Sequence, residues 1–210
     1  MQFAQAIDGC SGFSVCRAQF AAGTDPGEIE WEVPYPFFRE DYPYAGAAIN
    51  DAGDVLLVAT EWEKHHYFLR EADGTWKRGD AVPFAYNDTT NSYDRHAYPF
   101  VALLGRTAHI FSTQDVFDQV KADRGDSFTY SFRDLQYYSS SAVHDEPFVA
   151  LPIVDMAPAG AAHNDDLLVG RDGRIHLLYT SLREESDWNT QRALGHAFGP
   201  PGGPLTHVEI

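Results

Sequence analysis

Apolar residues in this 210-residue chain fall in short runs separated by turns containing Gly, Asp and Pro. Residues 45–60 read as a strand, an Asp-Ala-Gly turn and a second strand. Residues 100–113 and 166–180 repeat that pattern, the latter around Asp172-Gly173. Such runs have the length of half-buried strands, and Gly and Asp supply the turn chemistry between them. No long stretch carries a 3.6-residue apolar period, so helices are not expected. The exception is 115–121, which reads either as a strand or as a single helical turn. His109 and His176 each sit four residues before a Thr in the second strand of their unit, with Leu56 in the same place in the first unit. That recurrence points to packing or inter-sheet hydrogen bonding.

A longer period overlies these hairpins. Asp25, Asp73 and Asp123 lie 48 and 50 residues apart. Each is followed by a Gly and then an aromatic: Trp31, Trp76 and Phe128. Gly supplies the positive φ, and the Asp carboxylate accepts from nearby backbone N–H groups. The combined order is strand, turn, strand, loop, strand, Asp turn, strand. That is a four-stranded antiparallel meander of about 50 residues, the size of one β-propeller blade. The fold class expected is therefore all-β, a partial propeller of about three and a half blades in one domain spanning 1–210. Blade A takes 1–38, blade B 42–88, blade C 96–153 and blade D 163–210. Strands of blade C are expected at 99–104, 107–113, 115–121 and 127–132. Three and a half blades do not close a ring, so the rest are expected from a longer chain or from a second copy.

The Asp turns resemble the Asp-box, or BNR repeat, of sialidase-like propellers, Ser/Thr-x-Asp-x-Gly-x-Thr-Trp/Phe. Asp123-Arg-Gly-Asp-Ser-Phe128 matches the core, with Lys121 in place of the leading Ser/Thr. Asp73-Gly-Thr-Trp76 lacks one residue, and Asp25 to Trp31 has one too many. The resemblance implies a propeller in which the box is structural and the active face lies elsewhere. The polysaccharide-lyase-like branch of that group implies action on uronate-containing glycans.

Composition narrows the partners. Lys and Arg total 15 against 31 Asp and Glu, a formal charge of -16. Such a surface disfavours nucleic acid and anionic membranes. No apolar run approaches the roughly 20 residues of a membrane span. The first dozen residues have neither the basic nor the apolar region of a signal peptide. A secreted or periplasmic location is favoured if a leader lies outside this chain. Cys10 and Cys16 are the two cysteines; two make no disulfide framework, and their spacing is not that of a usual zinc site. Pairing across a tight hairpin and burial as two small strand residues are the two readings open to them.

In a propeller the first strand of each blade lines the central channel, and ligands bind where loops enter these strands. The entry segments carry Arg39, Tyr42, Arg95, His96, Tyr98, His163, Asn164 and Asp165. Aromatic faces, carboxylates, amides and Arg are the mixture that a sugar site needs. His96 and His163 are the acid/base candidates because imidazole titrates near neutrality. Tyr98 joins them as a catalytic candidate. Arg39, Tyr42, Arg95, Asn164 and Asp165 are expected to bind substrate. A sialidase reading would pair Tyr98 as nucleophile with Glu146, but other parts of that machinery are missing. The 163–166 segment has ligand types for calcium; a hydrogen-bonding turn is the preferred reading, so no cofactor is expected. His65 and His66 are adjacent on a strand and point to opposite faces, so they cannot share a metal. The function expected is a carbohydrate-active propeller, lyase or glycosidase, acting on an anionic polysaccharide or oligosaccharide. The alternative is a non-catalytic propeller that binds glycan or protein on the same face.

Overall fold

In the computed structural model, residues 14–18, 31–36, 44–61, 64–82, 95–127, 129–156, 160–183 and 192–210 are described. The chain divides into two compact units, Met1–Pro43 and Tyr44–Ile210. In the first unit β1 (Ser14–Ala18) pairs antiparallel with β2 (Trp31–Pro36). Asp25 lies outside the described residues.

The second unit contains three four-stranded antiparallel sheets, each a meander in chain order. The first sheet has β3 (Ala45–Ile49), β4 (Val55–Glu61), β5 (Lys64–Arg70) and β6 (Trp76–Arg78). The second has β7 (Arg95–Leu104), β8 (Thr107–Phe117), β9 (Tyr130–Ser140) and β10 (Val149–Asp155). The third has β11 (Ala161–Val169), β12 (Ile175–Leu182), β13 (Arg192–Gly199) and β14 (Thr206–Glu209). Among the described residues the one helix is α1 (Gln119–Arg124), between β8 and β9. The protein is all-β, as its turn-rich pattern requires.

The second sheet is buried on both faces, which explains the long apolar runs of its middle strands. Successive side chains alternate between faces. Ile110 and Tyr138 join Leu56, Val58, Tyr67 and Leu69 of the first sheet in one core. Their neighbours Phe111 and Tyr137 join Leu167, Ile175, Leu177 and Tyr179 of the third sheet in another. The three sheets thus stack through two cores. The first strands approach one another closely. A Cβ on Gly46 of β3 would lie 2.2 Å from the carbonyl oxygen of Pro99 on β7.

Two expectations are corrected. Asp73 does occupy the turn between third and fourth strands, where its carboxylate accepts from the Thr75 N–H at 2.8 Å and Gly74 has φ +96°. Asp123 does not occupy an equivalent turn: it lies in α1, between second and third strands, and its carboxylate accepts from Gln119 at 2.7 Å. Gly125, at φ +75°, ends that helix instead of a hairpin. Hence the third and fourth strands of the second sheet fall at 130–140 and 149–155, well after the expected 115–121 and 127–132. The Asp repeat does not extend across the described sheets, so the Asp-box assignment at Asp123 fails. Trp76 is only half-buried, and Phe128 lies outside the described residues.

Candidate active site

The site is built around a bulge near the start of β7. Ala97 pairs with Thr113 and Phe100 with Phe111, so Tyr98 and Pro99 together oppose a single residue. A bulge of this kind re-aims a side chain. Tyr98 has φ +54°, and its side chain reaches solvent. Its ring lies 4.3 Å from that of Tyr44, 5.1 Å from His163 and 5.8 Å from Phe132, centroid to centroid. The His163 and Phe132 rings meet edge to face at 5.5 Å. Four rings from all three sheets therefore cluster at the entry end of β7 and β11.

Beside His163 stands Asp165, with Nδ1 and Oδ1 3.8 Å apart. The other Asp165 oxygen accepts from the Thr180 hydroxyl at 2.6 Å. That bond fixes the carboxylate on the third sheet, next to the imidazole. A cavity of about 240 Å³ opens here, lined by Phe132, His163, Asp165, Thr180 and Arg192, with Ala161, Ala162 and Leu182 as apolar wall. Phe132, the His163–Asp165 pair and Arg192 thus line one hollow.

The sequence-predicted residues divide three ways. Tyr98, His163 and Asp165 come together as described. Arg95 and His96 lie on β7, where they pair with Asp115 and Gln114, but their side chains lie outside the described set, as do Arg39 and Tyr42 altogether. Asn164 is corrected. It is fully buried, and its amide donates to the carbonyls of Tyr98 and Phe111 while its oxygen accepts from the Thr113 hydroxyl. With both amide hydrogens engaged inside the protein, it does not reach a substrate. Glu146 is also corrected as a partner of Tyr98. It follows β9, and the Ser140 hydroxyl donates to its carbonyl at 2.8 Å. Ser140 pairs with Ala108, at the end of the sheet opposite Tyr98.

Phe132 and Arg192 are not candidates on sequence grounds. No signal marks them: each is an ordinary strand residue whose placement follows from sheet stacking. Tyr44 precedes the first strand of its sheet, one residue beyond the entry segment at 38–43, and nothing in the sequence marks it as a site residue.

Four further histidines, His65, His109, His176 and His196, make packing or ring contacts. His65 is fully buried, with Nδ1 2.8 Å from the Thr60 hydroxyl. Burial, helped by His66, pulls its pKa down to about 3. His109 is buried beside the Tyr137 hydroxyl at 2.7 Å, and desolvation lowers it to about 4. His176 and His196 stack on the outer face of the third sheet, with ring nitrogens 3.0 Å apart. No group of three or more metal-ligating side chains occurs among the described residues.

No family model matches this chain, and no curated protein matches it. Among solved structures it is similar to Zg3597, a family 117 glycoside hydrolase of the marine bacterium Zobellia galactanivorans. That likeness has 14% identity and a TM-score of 0.48, and it covers 94% of this chain and 62% of that one. It is similar to the polysaccharide lyase Uly1 at 13% identity and TM-score 0.46, over 88% of this chain and 42% of that one. A GH93 α-L-arabinofuranosidase of Fusarium graminearum matches at 10% identity and TM-score 0.42, over 86% and 55%. The chain spans less than two thirds of the length of each of these proteins.

Proposed function

We propose that the protein is a carbohydrate-active, propeller-type protein whose cavity takes one unit of an anionic glycan. The observation that carries this reading is the convergence of Phe132, His163, Asp165 and Arg192 on one hollow, with the Tyr98 ring against those of His163 and Phe132. Aromatic faces suit a sugar ring, and Arg at the wall suits a carboxylate group. An ionisable cluster drawn from separate strands is the usual mark of a functional site.

The chemistry that these groups support best is β-elimination on a uronate. Arg192 holds the sugar carboxylate and stabilises the charge that builds on it. His163, neutral, takes the proton from the carbon alpha to that carboxylate. The electron pair of the broken carbon–hydrogen bond becomes the new carbon–carbon double bond. The bond to the glycosidic oxygen at the next carbon breaks, and that oxygen takes a proton from the Tyr98 hydroxyl. Asp165 steadies the imidazolium that forms. A hydrolytic reaction at the same site would instead use Asp165 as the carboxylate.

Incubation with a panel of uronate-containing polysaccharides tests the reading. A lyase produces an unsaturated sugar that absorbs in the ultraviolet. A hydrolase releases reducing ends without that absorbance. Saturable binding with neither product would establish a glycan-binding module. No binding to any member of the panel would overturn the proposal.

A further inference from the structure

We propose that Asn164 is the positioning residue of this site. It clamps the Tyr98 backbone in its left-handed conformation and so aims the Tyr98 ring at His163. The functional consequence rests on the reading above; the clamp itself does not.

Tyr98 is in a costly conformation for two separate reasons. At φ +54° it occupies the left-handed region that a bulky L-residue avoids. It also precedes Pro99, and proline pushes the residue before it towards extended backbone. A residue held this way persists only when its surroundings over-determine it.

Asn164 supplies the constraint. Its Nδ2 donates to the Tyr98 carbonyl and, at 3.0 Å, to the Phe111 carbonyl across the bulge. Its Oδ1 accepts from the Thr113 hydroxyl, and that same hydroxyl accepts from the Asn164 N–H at 3.0 Å. The amide is therefore itself locked, with no freedom to follow Tyr98 if the bulge relaxed. Since it is wholly buried, each lost bond leaves a desolvated polar atom. Aspartate could replace the oxygen's role but neither of the two donations.

The arrangement couples the two candidate catalytic groups. His163 and Asn164 are consecutive on β11 and point to opposite faces. The first meets the Tyr98 ring and the second meets its carbonyl. One short segment of β11 thus presents one group and fixes the strand that presents the other. Gly46 completes the device from β3, because only a residue without Cβ leaves room for the displaced Pro99 carbonyl.

The test reads the His163 ring protons by NMR without any glycan present. In N164D the Tyr98 ring is expected to leave His163, moving those resonances towards their positions in Tyr98→Ala. A folded N164D with His163 resonances unchanged would overturn the proposal. Stability gives a second measurement. Glycine takes positive φ freely, so Tyr98→Gly in the N164D background should recover part of the stability that N164D loses in wild type. An equal loss in both backgrounds would also overturn it. Where turnover is found, N164D should lower kcat by about 100-fold with a much smaller change in KM. Lack of any glycan binding by the wild type would defeat the functional reading while leaving the NMR result to decide the clamp.

Discussion

His65 and His109 are held neutral by burial at pH values where an exposed imidazole is charged. Their folded pKa values lie below 6.5, so the unfolded chain binds more protons as pH falls. Stability is therefore full above about pH 6.5 and is lost between there and about pH 4 for His109, or about pH 3 for His65. Within that window each histidine contributes a slope of about 1.4 kcal/mol per pH unit. Denaturant unfolding at pH 7 and pH 4.5 measures it. His109→Gln should reduce the difference to the part that His65 contributes, whereas an unchanged difference would mean that His109 is already charged in the fold. At the same scale, Gly46→Ala places a methyl against the Pro99 carbonyl. Overpacking of this kind costs about 1–3 kcal/mol, and thermal unfolding would register it.

The strands that form the second sheet carry two cores, and their residues have unequal worth. Phe111 and Tyr138 are fully buried on opposite faces of that sheet. Phe111→Ala should cost about 3–5 kcal/mol by denaturant unfolding. Trp76, half-buried on the edge strand β6, should cost clearly less. A larger loss at Trp76 than at Phe111 would contradict the stacking described. Much of the element order was legible in the sequence. Apolar runs flanking Asn50–Gly53, Gly105 and Asp172-Gly173 mark hairpins because each turn takes a positive-φ glycine. The error at 115–128 has a physical origin. Asp118 accepts from the Lys121 N–H at 3.2 Å and receives Arg133 at 2.6 Å, an N-cap before α1, and Gly125 closes the helix. Those are helix start and stop signals, and Asp-Arg-Gly reads equally well as a turn between strands. The site was legible only in part. Entry-segment position brought out Tyr98, His163 and Asp165, whereas the burial of Asn164 depends on a bulge 66 residues away.

At the scale of the whole molecule, the third sheet differs from the other two. Its outer face exposes Leu168, Leu194 and Val208 around the stacked rings of His176, His196 and Phe198. The equivalent face of the second sheet, carrying His109 and Phe111, is buried. An open apolar face of this kind binds hydrophobic dyes. The chain should enhance anilinonaphthalene sulfonate fluorescence, and Leu168→Asp with Leu194→Asp should reduce it without unfolding; an equal signal in both would contradict the exposure. Net charge sets a second whole-molecule property. A formal charge of -16 repels an anionic glycan at long range, so the proposed function requires Arg192 to attract it locally, at the cavity wall.

The central claim is the proposal that the cavity at His163 and Asp165, beside the Tyr98 ring, acts on an anionic glycan. Turnover of uronate-containing polysaccharides by wild type and His163→Ala, followed at the ultraviolet absorbance of the unsaturated product, tests it most directly. The account predicts product from the wild type and a loss of at least about 100-fold in the variant. Thermal stability should stay within about 1 kcal/mol, because His163 is part-exposed and carries little of the core. Equal turnover in the two proteins would contradict it.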